Sequence, residues 1–127
     1  MTPQREEALR SLRLADRDIA AFEALLRHPE VPPAIACFHA QQAIEKSLKA
    51  VLFSRLVEFR RTHDLIELSA LLEDKGIQIP IASAWLKALN PFAVAFRYEE
   101  TELHGLDMAA LTEVVRTLRG WAGELLG

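Results

Sequence analysis

From Ala36 to Ala50 the chain reads ACFHAQQAIEKSLKA, and on a helical period these residues sort into two separate faces. Ala36, Ala40, Ala43, Ser47 and Ala50 recur at steps of four and three. They form a stripe of small side chains along which another helix axis can approach to about 8 Å. At about 100° per residue, His39, Gln42, Lys46 and Lys49 fall within one quarter of the circumference and make a polar band beside that seam. A helix with this pair of faces belongs in a tight helical bundle. Its polar band is a candidate lining for a nucleotide or dimer groove, the alternative being a solvated face. Gln41 stands apart, near the apolar border between Cys37 and Leu48, where a buried amide must find partners. Cys37 is the sole cysteine, so no internal disulfide forms, and on the apolar side of the helix it reads as a small buried hydrophobe rather than a reactive thiol.

The remaining periodicities supply partners for this helix. From about Pro3 to Arg27, Leu12, Ala15, Ile19, Phe22 and Leu26 mark an apolar stripe, with Arg10, Arg13 and Arg17 on another face. His28-Pro29 ends that helix and Val31-Pro32-Pro33 opens the next, predicted to run from Pro33 to Val57, since proline fits a first turn but not a helix interior. Thr62 is a candidate cap for a third helix carrying Leu65, Leu68, Leu71 and Leu72, and Gly76 is its stop signal. A fourth helical region begins near Pro80, carries Trp85, Leu86 and Leu89, and breaks or kinks at Asn90-Pro91. A short helix is expected over Phe92 to Tyr98, then an acidic connector through Glu99, Glu100 and Glu102 to Gly105. Asp107 caps a final helix whose inner face holds Met108, Leu111, Val115, Leu118, Ala122 and Leu125. No strand-like alternation, repeat or low-complexity tract occurs. The expected fold is all-α, one domain over residues 1–127, an up-and-down four-helix bundle with an additional short helix.

Charge narrows the possible functions. With 15 basic against 18 acidic residues and a net charge of −3, the chain lacks the basic excess of a dedicated nucleic-acid coat, so any RNA contact must be focused on a local patch. The first residues lack the apolar core of a signal peptide, and Lys87 and Asn90 interrupt the long apolar region, which points to a cytoplasmic protein without a membrane span. Arg60, Arg61 and His63 precede the third helix, where unpaired backbone amides can hold a phosphate; Asp64 in the same turn competes for those amides, and plain capping is the other reading. No glutamate has a histidine three residues later, as a di-iron bundle requires, and the five glycines build no phosphate-cradling loop. The sequence has no cysteine and histidine set for zinc and no recognisable nucleophile motif. Neither a bound metal nor a cofactor is expected.

Phe38 to Ala50 (FHAQQAIEKSLKA), then Arg61-Thr62-His63-Asp64-Leu65, then Phe96-Arg97-Tyr98, in this order, resemble the HEPN family (higher eukaryotes and prokaryotes nucleotide-binding domain), over about Ile35 to Tyr98. The resemblance implies a helical homodimer in the prokaryotic cytosol, paired with a minimal nucleotidyltransferase as a toxin-antitoxin component. The family's ribonuclease signature is an arginine followed a few residues later by a histidine. It falls here on Arg97 and His104, with six residues between them. As a catalytic pair they need no metal: an imidazole moves the proton of a 2′-hydroxyl or leaving group while a guanidinium stabilises charge on the phosphate. Tyr98 follows the arginine where the family often has a small polar residue, and a phenol there is a candidate acceptor of a nucleotidyl group. Glu99, Glu100 and Glu102 also separate the pair. The alternative is therefore a non-catalytic module that binds a nucleotide or a partner, with Arg97 in an ion pair; a purely architectural helical dimer is a third.

Overall fold

The structure, a computed structural model, describes residues 2–94 and 106–127. Helix α1 (Pro3–Leu26) starts where the Thr2 hydroxyl accepts the Arg5 amide at 3.1 Å and proline occupies the first turn. Helix α2 (Pro33–Ser54) follows a turn rich in proline. Helices α3 (Leu65–Asp74) and α4 (Ser83–Leu89) are shorter; α4 runs directly into a 3-10 turn at Asn90–Ala93, and α5 (Met108–Leu126) closes the chain. The described residues contain five α helices and no strand, which is the expected all-α class. No described helix is long and apolar enough to cross a membrane.

Helix α2 is the hub. It packs most extensively along α1 and also touches α3, α4, α5 and the 3-10 turn. The small-residue stripe is buried as expected, every member being 2% exposed or less. Cys37, Ile44, Leu48, Val51 and Leu52 are buried beside it, so α2 is surrounded on most sides. Ala8, Leu12 and Phe22 of α1 join the same core, as do Leu111, Val115, Leu118 and Ala122 of α5. Helices α1 and α5 run antiparallel: Arg5, at the start of α1, donates to the Leu126 and Gly127 carbonyls, whereas Arg119 and Arg116 make two-pronged bonds to Asp16 and Glu23 farther along it. Exposed pairs of this kind fix register and add little to stability. The Arg5 bonds have a second effect, because they satisfy carbonyls that the last turn of α5 leaves without partners.

Several element ends differ from the sequence expectation. Helix α2 stops at Ser54 rather than Val57 because Leu56 takes a left-handed backbone (φ 58°). The Leu56 and Val57 amides fold back onto the Phe53 and Leu52 carbonyls, completing a Schellman motif. Glycine is the usual occupant of that position; a leucine there costs about 1–2 kcal/mol of backbone strain. Helix α3 is capped by Asp64 rather than Thr62, whose buried hydroxyl instead accepts the Asp64 amide at 3.1 Å. The short helix expected over Phe92 to Tyr98 is, in its described part, the end of the 3-10 turn: the chain is extended by Val94, and residues 95–98 lie outside the described residues, as does the acidic connector. At the base of α5, Leu126 is buried where Leu125 was expected. Asp107 does cap α5, accepting the Ala109 and Ala110 amides at 2.9 and 3.1 Å.

Gly76 ends α3 through the same motif as Leu56, with φ 77° and amide bonds from Gly76 to Glu73 and from Ile77 to Leu72. A Cβ added there meets no atom within 4 Å, so an alanine would suffer backbone strain and nothing else. Gly76→Ala is expected to lower stability by about 1 kcal/mol without changing activity, read as an earlier urea midpoint at an unchanged slope.

Candidate functional site

The polar band of α2 stands over two buried carboxylates. Asp18, on α1 and 8% exposed, lies between two members of the band: its Oδ1 is 2.9 Å from His39 Nδ1 and its Oδ2 accepts from Lys46 Nζ at 2.5 Å. An ionised carboxylate can only accept, so the shared histidine proton sits on Nδ1, leaving Nε2 for other contacts. Glu45, on α2 itself and 3% exposed, has a fuller shell. Lys49 Nζ donates to its Oε2 at 2.9 Å, while His63 Nδ1 at 2.9 Å and Gln41 Nε2 at 3.3 Å meet its Oε1. Gln41, the amide expected to need partners, also donates to the His63 carbonyl at 3.0 Å and accepts from Gln42 Nε2 at 2.7 Å. No buried side-chain nitrogen or oxygen among the described residues lacks a partner.

The structure therefore joins what the sequence had kept as separate groups. His39, Gln42, Lys46 and Lys49 are half-buried; Gln42 and Lys49 are tied to the His63 region through Gln41 and Glu45, and His39 and Lys46 to α1 through Asp18. Asp18 and Glu45 were not among the candidates. The available signal was register: Asp18 sits three after Ala15 and four before Phe22, on the apolar face of α1, and a carboxylate placed there must be met by a cation across the seam.

At the start of α3 the free amides are already taken. Asp64 Oδ1 accepts from the Ile66 and Glu67 amides at 2.9 and 3.3 Å and from Asn90 Nδ2 at 2.9 Å, while Asn90 Oδ1 accepts the Leu65 amide at 2.9 Å. Asn90 is a further residue that sequence reasoning treated only as a break. Arg60 makes a two-pronged pair with Glu67, its nitrogens 2.6–3.0 Å from the carboxylate oxygens. Arg61 is exposed and has no hydrogen-bond or ion-pair partner among the described residues. It lines a groove of about 980 Å³ between the first half of α1, the last half of α2 and the loop that follows, with Lys46, Lys49, Phe53 and Phe59 on its walls. Lys49 Nζ lies 5.9 Å over the Phe59 ring, and Phe59 meets Phe53 edge to face at 5.2 Å.

Cys37 is fully buried and its thiol is pushed up to about 11 by desolvation, so it stays protonated and acts as a small hydrophobe. Among the described residues no group of three or more histidine, cysteine or acidic side chains could hold a metal ion. Arg97, Tyr98 and His104 lie outside the described residues.

The HEPN domain family model matches residues 8–125. The crystal structure of an archaeal HEPN homologue superposes with a TM-score of 0.67 at 18% identity, covering 94% of this chain and 98% of that one. A comparison with curated proteins finds no match.

The bond from Asn90 holds the Asp64 carboxyl below the usual carboxylate range, helped by the Glu67 and Ile66 amides. A carboxyl lowered on folding contributes stability that is complete above its unfolded value, about 3.9, and is lost as the pH falls through the lower folded value. Asn90→Ala should bring the Asp64 titration back up toward 3.9 and flatten that acid limb, read by carboxyl chemical shifts and by stability against pH below about 4.

Proposed function

This chain belongs to the HEPN domain family, and from that premise we propose that it is a cytoplasmic toxin-antitoxin component that works with a minimal nucleotidyltransferase and cuts RNA without metal. Arg97 and His104 are the proposed catalytic pair. The observation that carries the reading is their spacing within the family match over residues 8–125. Lys46, Lys49 and Arg60 are poorer candidates for the phosphodiester, since each already holds a carboxylate.

In the proposed reaction His104 takes the proton of a ribose 2′-hydroxyl as that oxygen attacks the adjacent phosphorus. The bond from phosphorus to the 5′-oxygen breaks, the leaving oxygen is protonated by an imidazolium, and a 2′,3′-cyclic phosphate remains. The Arg97 guanidinium stabilises the negative charge that builds on the phosphoryl oxygens. Pairing two copies would place two arginines and two histidines in one cleft, offsetting the net charge of −3 where RNA binds. Tyr98, beside the arginine, is the proposed acceptor of a nucleotidyl group from the partner: its phenol oxygen attacks the α-phosphorus of a nucleoside triphosphate and pyrophosphate leaves, blocking the site.

A second reading, a non-catalytic module that binds a nucleotide or the partner, is favoured by one specific feature. The groove puts Arg61 and two lysines beside the half-buried Phe59, a combination suited to an anion with a planar body. The two readings separate on purified protein incubated with total RNA in EDTA. The nuclease reading expects cleavage, lost by roughly 100-fold or more in both Arg97→Ala and His104→Ala while circular dichroism stays helical. Wild-type protein that leaves RNA intact would reject it in favour of the binding module.

A further inference from the structure

Leu56 is placed at odds with folding on two separate counts. Its backbone is left-handed at φ 58°, a conformation that disfavours any side chain bearing a Cβ. It is also 70% exposed, the large apolar side chain most open to solvent among the described residues. A leucine buried in the core can repay backbone strain through packing; Leu56 gains almost nothing of that kind. Glycine at this position would complete the same Schellman motif without strain. The side chain is thus explained by something outside the described fold that covers it.

Its surroundings indicate what that is. Leu56 stands on the rim of the groove whose apolar floor is formed by Leu14, Leu52, Phe53, Val57 and Phe59. The same rim carries exposed charge of both signs: Arg10 and Arg61 against Glu7 and Glu58. Within the chain these charges are barely engaged, the Arg10 to Glu7 pair being 3.8 Å long and mostly exposed. A protruding leucine beside an apolar slot, with exposed charge of both signs on the rim, offers a knob, a slot and both halves of an ion pair on one surface. That is the requirement of a twofold interface, in which each patch meets its own copy. A partner of one dominant charge would instead call for a rim of one sign.

We infer that this face is where two copies of the chain associate, each Leu56 seating in the groove of the other copy with the rim charges paired across the axis. The inference rests on the homodimer in the proposed function and assigns its surface.

The test is the oligomeric state of the full chain by light scattering and sedimentation over a dilution series. Wild type is expected to be a dimer, and Leu56→Gly, which removes the side chain while relieving its backbone, should raise the dissociation constant about tenfold or more with an unchanged helical spectrum. A charge experiment provides a second arm. A version carrying Arg10→Glu and Arg61→Glu, and another carrying Glu7→Lys and Glu58→Lys, should each be monomeric and should pair when mixed. Wild type that is monomeric at all concentrations would overturn the homodimer itself. A wild-type dimer that survives both Leu56→Gly and the charge reversals would leave the homodimer standing and remove this face from it.

Discussion

Two carboxylates buried against the central helix, Asp18 from α1 and Glu45 from α2 itself, govern the rest of the molecule. Taking an ionised side chain out of water costs several kcal/mol unless good partners receive it. Asp18 and Glu45 are almost wholly out of water, so each must be surrounded, and the residues that surround them include His39, Lys46, Lys49, Gln41 and His63. The small-residue stripe of α2 makes this possible, because close approach of another helix brings α1 near enough for Asp18 to reach across. Packing and charge pairing are thus one arrangement: without the alanines α1 would stand farther away, and without the cations the seam would enclose bare charge.

The consequence for function is a division of labour among basic residues. Those of the α2 band are held in place by acids and keep only part of their hydrogen-bonding capacity for anything else. His39 retains Nε2, and Lys46 and Lys49 retain donors facing the groove, but none presents an uncompensated positive charge. Arg60 is occupied by Glu67. The start of α3, which resembles an anion site in isolation, is filled by Asp64 and Asn90. Arg61, at the edge of the same network, has no hydrogen-bond or ion-pair partner among the described residues.

Much of the fold was legible in the sequence. The spacing of small and large apolar residues in α1, α2 and α5 reports burial directly, and proline, glycine and Asp107 mark the helix ends through backbone rules that act locally. The misses occurred where tertiary contacts decide. Leu56 ends α2 early in a conformation its residue type disfavours, and the Asp64 cap is joined by Asn90, 2.9 Å away and twenty-six residues on in sequence. The candidate site was legible only in part for the same reason. Helical periodicity grouped His39, Gln42, Lys46 and Lys49 correctly, but it gives the face a residue occupies, not the partner waiting across the seam. An acid in an apolar register was the visible sign of that partner.

The central claim is that the α2 band is an internally compensated network and not a row of free ligand-binding cations. A double-mutant cycle on Asp18→Ala and Lys46→Ala, measured by urea unfolding, tests it most directly. The account predicts a coupling energy of about 1–3 kcal/mol, with each single substitution costing more than the pair taken together would suggest. A coupling near zero, with the two substitutions simply additive, would mean that Lys46 is not committed to Asp18 and would return the band to the status of an open binding face.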